Sequence, residues 1–219
     1  MRQNVSLAEI SDGHLYKAND MVKADCGGCE GCSQCCRGMG SSIILDPYDV
    51  YRLTMGIGKS MQELLATSVE LNVVDGVILP NLKMQGTREA CAYLDTEGRC
   101  SIHPYRPGIC RLFPLGRHYE NGGLFYFLQT GECAKENRSK VKVSKWIDTP
   151  ELKKNEQFKL QWHDLLSAMT DRVAGEDEGK QQEENLLLLR LFYLLPYEGT
   201  TDFYSQFTER MEYWNEQIG

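Results

Sequence analysis

Several families of enzyme have no foothold in this sequence. It contains no G-x-G-x-x-G, no Walker loop, no G-x-S-x-G and no radical-type C-x3-C-x2-C string, so the dinucleotide, P-loop and serine-hydrolase classes lack their signatures. Histidine is scarce at four in 219 residues. His14, His118 and His163 have no metal-ligand spacing, and only His103, between two cysteines, stands where a ligand or proton carrier could be. Positive charge is in the minority, 24 Lys and Arg against 31 Asp and Glu for a net charge of -7. That balance argues against general binding to nucleic acid or to an anionic membrane, so neither is expected as a partner, and the substrate is expected to be a small molecule or a protein. The longest apolar run, ENLLLLRLFYLLPYEG, is too short to span a bilayer and is broken by Arg190. The opening MRQNVSLAEISDGHLYKAND has no signal-peptide core, and the expected location is cytoplasmic.

What the sequence has in excess is cysteine. Of nine, five fall within CGGCEGCSQCC: Cys26, Cys29, Cys32, Cys35 and the adjacent Cys36. In a reducing compartment thiols serve more often as ligands or catalysts than as disulfide partners, and an adjacent pair plus an odd total fits a disulfide framework poorly. Spacing by two residues lets neighbouring sulfurs bend round one ion or cluster, and Gly27, Gly28 and Gly31 give the chain the freedom to do so. Bacterial ferredoxins hold 4Fe-4S clusters with the same tandem spacing. The string therefore points to metal, with iron and zinc both open.

A second block, CAYLDTEGRCSIHPYRPGICRLFPLG, carries Cys91, Cys100 and Cys110, and Cys133 follows in TGECAK. Together the blocks supply enough thiols for two four-ligand sites, or for one site and several structural cysteines. No Asp or Glu occurs between Gly98 and Tyr119, yet Arg99, Arg106, Arg111 and Arg117 do. Guanidinium groups offset the negative charge of a thiolate site and can bind a carboxylate or phosphate ligand, and Arg106 and Arg111, flanking Cys110, are the candidate cofactor-binding pair.

The remainder reads as scaffold. A strand from Ser42 to Leu45 leads to a helix capped by Asp46 with Pro47 in its first turn and ending at Gly56; a capping box at Ser60–Glu63 opens another. NVVDGVIL is a hairpin turning at Asp75–Gly76. Thr149–Pro150–Glu151 opens a helix with an apolar stripe of Phe158, Trp162, Leu165, Leu166, Met169 and Val173; the run around Leu186–Leu195 is a buried helix, and a last helix from about Thr201 aligns Phe203, Phe207, Met211 and Trp214. The expected fold is α+β: an irregular, metal-stapled cysteine-rich core with short hairpins over residues 1–145, covered by helices, and a C-terminal helical region, 146–219, packed on it.

On CEGCSQCC, ILDPYDVYRL, CAYLDTEGRCSIHPYRPGICRLFPL and the outlying Cys133, taken in that order, the chain resembles the CxxCxxCC cysteine-cluster family, YkgJ-type zinc- or iron-chelating proteins that include the flagellin lysine N-methylases. The resemblance implies that Cys29, Cys32, Cys35, Cys36, Cys91, Cys100, Cys110 and Cys133 are the metal ligands, with Cys26 outside the common string. It implies one or two iron–sulfur clusters, 4Fe-4S in type, with zinc as the alternative, and for the methylase branch methyl transfer from S-adenosylmethionine. The chain is shorter than those enzymes, so the lysine substrate does not carry over. Three classes stay open: an iron–sulfur-dependent methyltransferase or oxidoreductase, an electron-transfer or metal-carrying protein, and a zinc-stabilised interaction module.

Overall fold

The computed structural model describes residues 6–27, 32–135, 137–175 and 177–218. In chain order the elements are α1 (Leu7–Ile10), β1 (Met21–Asp25), α2 (Pro47–Ile57), α3 (Met61–Thr67), β2 (Val69–Val74), β3 (Val77–Leu82), β4 (Met84–Gln85), β5 (Ala90–Cys91), α4 (Gly108–Leu112), β6 (Leu115–Glu120), β7 (Gly123–Leu128), β8 (Ser139–Lys142), α5 (Val143–Ile147), α6 (Leu152–Val173), α7 (Glu178–Leu189) and α8 (Phe203–Ile218). Two 3-10 turns, Gln34–Cys36 and His103–Tyr105, and one π turn, Arg190–Leu194, complete the chain. The strands form four separate antiparallel pairs: β1 with β8, β2 with β3, β4 with β5 and β6 with β7. This is the mixed α and β architecture of small sheets with a helical C-terminal segment that the sequence predicts.

The local signals explain most of it. Asp46 accepts from the Asp49 amide at 3.0 Å and Asp49 returns the bond at 3.2 Å, closing a capping box at the start of α2. Ser60 and Glu63 do the same for α3. At the hairpin, Asp75 and Gly76 both take positive φ, 50° and 82°, the backbone of a type I′ turn. Buried Asn185 on α7 grips that turn, accepting from the Ile78 amide at 2.6 Å and donating to the Gly76 carbonyl at 3.1 Å.

Some expectations shift. The strand expected from Ser42 to Leu45 is reduced to a bridge of Ile44 with Asn81, flanked by bonds from Leu45 to Pro80 and from Leu82 to Ile43. Gly56 does not end α2; the helix runs to Ile57 and closes on left-handed Gly58, because Gly56 is needed for the Tyr105 ring, which lies where its Cβ would be, 2.2 Å away. Nor does Thr149–Pro150–Glu151 cap α6. Asp148 and Glu151 both turn left-handed, and the helix starts only at Leu152. The run expected to be buried all round exposes Leu186 (64 %) and Leu195 (50 %).

Two apolar cores result. The larger joins α2, α3 and the β2–β3 hairpin to the aromatic faces of α6 and α8, with Phe158, Phe192, Phe203 and Phe207 all essentially buried. Burying such side chains is worth about 1.5–3 kcal/mol each relative to exposure. The smaller core packs Val22 and Ala24 of β1 against Leu115, Tyr126 and Leu128 of the β6–β7 hairpin and against Val143 and Ile147. Among the described residues, no helix is long and apolar enough to cross a membrane.

Candidate metal centre

The two cysteine blocks meet through backbone pairing. Arg37, directly after the 3-10 turn that carries Cys35 and Cys36, forms an antiparallel bridge with Ala90, and the Gly38 amide donates to the Glu89 carbonyl at 2.9 Å. Ala90 and Cys91 form β5, whose partner β4 holds Cys91 opposite Met84. The chain then doubles back: Asp95 accepts from the amides of Glu97 (3.0 Å) and Arg99 (2.7 Å), and Leu94 bridges Cys100. Cys110 rides on α4, whose first amide, on Gly108, donates to Asp49 Oδ1 at 2.6 Å. A residue of α2 thus fixes the segment bearing the third thiol of the second block.

Cys32, Cys35, Cys36, Cys91, Cys100 and Cys110 line one cavity of about 1180 Å³. None of the described cysteines is in a disulfide. Cys35, Cys36, Cys91, Cys100 and Cys110 influence one another and so share a field. Cys35 is lowered to about 7, chiefly because the Cys36 thiol donates to it, with Arg106 adding to the effect. Cys36 is raised in return by that bond, by burial and by the charges of Cys35, Cys100 and Cys110. Burial raises Cys110, and Cys91, Asp49, Cys35 and Cys100 raise it further; burial likewise lifts Cys91 and Cys100. Thiols that resist ionising next to one another are stabilised as thiolates by a cation among them, and binding releases their protons.

The lining is not all sulfur: Asp46, Asp49, Arg117, Tyr119, Trp162 and Leu166 also line the cavity. Lys159, 4 % exposed, pairs with Asp46. Burial lowers its ammonium to about 7. Asp49, 3 % exposed, is raised to about 6 by burial, against the pull of the Gly108 amide and of Arg117, Arg52 and Arg111. A Cβ on Gly108 would lie 3.2–3.3 Å from Arg117 Nη2, Asp49 Oδ1 and Lys159 Nζ, so three charged groups converge on this one glycine.

Of the two candidate arginines, Arg106 lines the cavity beside Cys35 and Cys100. Its Nη1 is 2.7 Å from His103 Nε2, and its buried Nε has no hydrogen-bond partner. Arg111 turns elsewhere: it donates to the backbone carbonyls of Ile147 (3.2 Å), Asp148 and Pro104 (3.5 Å), tying α4 to the end of α5. Arg99 and Arg117 also line the cavity. Cys133 does not; it stands with Cys26 at a second, much smaller cavity. Cys29 lies outside the described residues. Reading Asp46 as a cap and Trp162 as core packing accounted for their local roles and missed their second face toward the cavity. The only sequence signal for that face is two acids, three residues apart, in the first turn of one helix.

Among the described residues no three Cys, His, Asp or Glu side chains converge tightly enough, as they stand, to hold an ion. The thiols surround a space rather than a point. The donor set itself is all sulfur, which fits iron and zinc and disfavours hard cations that need oxygen. Such a set, gathered from two distant blocks with an arginine against it, defines a zinc- or iron-chelating cysteine-cluster domain. Residues 28–127 match the model of the CxxCxxCC family, whose description reads "putative zinc- or iron-chelating domain". Comparison with curated proteins and with solved structures gave no match.

Proposed function

We propose that the chain is an iron–sulfur protein in which the thiols of the large cavity hold a 4Fe-4S cluster and the rest of the cavity takes a small organic ligand, as in an S-adenosylmethionine-dependent methyltransferase. The observation that carries this reading is the size of the cavity: about 1180 Å³ exceeds the roughly 300–1,000 Å³ typical of a small-ligand site, and charged and aromatic side chains line it together with the thiols. A site that only stapled the fold would be closed around its metal. A cluster with one iron not capped by cysteine would supply Lewis acidity and one-electron redox chemistry.

The chain's own residues have separate tasks in this reading. Arg106 offsets thiolate charge and offers its unpartnered Nε to a cluster sulfur or to a ligand oxygen. Arg117 faces a ligand carboxylate, while Asp46 and Asp49 face an amine. Trp162, Tyr119 and Leu166 cover the apolar part and exclude water.

The test is analysis of protein purified without oxygen for iron, acid-labile sulfide and zinc, followed by electron paramagnetic resonance of the reduced sample with and without S-adenosylmethionine. Iron and sulfide with a ligand-dependent spectrum are expected. Iron with an unchanged spectrum would move the protein to electron transfer or metal carriage, and a colourless zinc protein would overturn the reading.

A further inference from the structure

Cys26 lies outside the family string, yet the fold carries it to other thiols. It directly follows Asp25, the last residue of β1, and Asp25 pairs with Ser139, the first residue of β8. In an antiparallel ladder the exit of one strand and the entry of its partner share an end, so the segment carrying Cys133 arrives beside Cys26. Asp25 fastens this corner: its Oδ1 accepts from the Gly27 amide at 2.9 Å and its Oδ2 from the Ser139 hydroxyl at 3.3 Å. Gly27, at φ 72°, turns the chain in a way that other residues resist. A cavity of about 20 Å³ results, lined by Cys26, Cys32, Cys35 and Cys133, with Phe113 and Pro114 as an apolar wall.

We propose that Cys26, Cys32, Cys35 and Cys133 form a second site, for a single thiophilic cation of the zinc type, separate from the large cavity, where Cys36, Cys91, Cys100 and Cys110 remain and any three of them suffice for a cluster with one open iron. The volume separates the two. Some 20 Å³ admits one water-sized sphere and no cluster or organic ligand. Four thiolates are the donor set of closed tetrahedral zinc, with Zn–S about 2.3 Å, and as they stand these side chains are not drawn together round an ion. Cys32 and Cys35 border both cavities, so the stretch from Cys32 into the 3-10 turn Gln34–Cys36 is the partition. The assignment holds whichever metal the large cavity takes.

The experiment uses the full chain, purified without oxygen, incubated with zinc alone and desalted. Total metal is counted, and alkylation of each cysteine is followed by mass spectrometry as a chelator is added. Cys26, Cys32 and Cys133 should be protected at first and become reactive together on loss of a single equivalent, while Cys91, Cys100 and Cys110 stay protected. Cys26→Ser should lack that equivalent and keep the rest, and Cys26→His, which restores a ligand, should regain it. Immediate alkylation of Cys26 in the loaded protein, or its release only together with Cys110, would overturn the proposal. So would Cys26→Ser at wild-type metal content.

Discussion

Arg111 and Asp49 show how differently two buried charges can serve one site. The guanidinium of Arg111 spends its hydrogen bonds on backbone carbonyls of α5 and of the loop at Pro104, with only a distant, exposed Asp148 carboxylate at 3.5 Å. Hydrogen bonds to a charged group contribute about 1.5–3 kcal/mol, and carbonyls left bare lose more. Arg111→Ala should therefore destabilise the protein by about 3 kcal/mol in urea denaturation, and Arg111→Lys by less, with ligand affinity of the folded fraction unchanged. A loss of affinity at full stability would instead place Arg111 on the ligand. Asp49 makes its prediction through pH. Its folded value, about 6, lies above the ordinary 3.8, so the folded state holds the proton more tightly than the unfolded one. Ionising it costs stability as pH rises from about 4 to 6, and that cost, about 3 kcal/mol at pH 7, is relieved as pH falls again. Relative to Asp49→Asn, the wild type should gain stability between pH 7 and pH 4. A relative loss over that window would mean that Arg117 and its neighbours hold the carboxylate charged.

Elements were legible where one local rule decided the backbone. The Asp46 cap, the Ser60–Glu63 capping box, the Asp75–Gly76 turn and the stripe of α6 follow from spacing alone, since each is satisfied within a few residues of chain. The errors fall where a distant group overrides the local rule. Gly56 reads as a helix stop, and only the approach of Tyr105 from a different loop makes it a helix-interior glycine. Thr149–Pro150–Glu151 reads as a helix start, but the residue before it, Asp148, turns left-handed and its carbonyl accepts from Arg111. Cysteine identity and the thiol lining could be read from spacing. The charged groups could not, because Asp49, Arg117 and Lys159 come from α2, β6 and α6 and share nothing in sequence. The short pairs β4–β5 and β1–β8 were equally invisible, being two to five residues long.

For the whole molecule, the large core draws on residues 43–102 as well as 158–214, so losing metal should not release the N-terminal part as a block. The hairpin of β2 and β3 belongs to the helices through Asn185, whereas the loops carrying the thiols are where a bound metal would add folding free energy. Chelation followed by limited proteolysis should cut first within 32–42 and 86–106 and leave 43–82 and 152–218 protected. Cuts spread evenly over the chain would show that metal and helical core unfold as one unit.

The bridge between Arg37 and Ala90 spans a large interval of chain, and translation makes that interval a delay. At about 5–20 residues per second, Cys91 leaves the ribosome roughly 3–11 seconds after Cys36. For that time the first five thiols are out in the cell without their partners. A nascent chain in that position can capture the wrong ion, so for a thiol site of this kind the timing of metal delivery relative to the pairing of β5, and not affinity alone, would bear on which metal is bound.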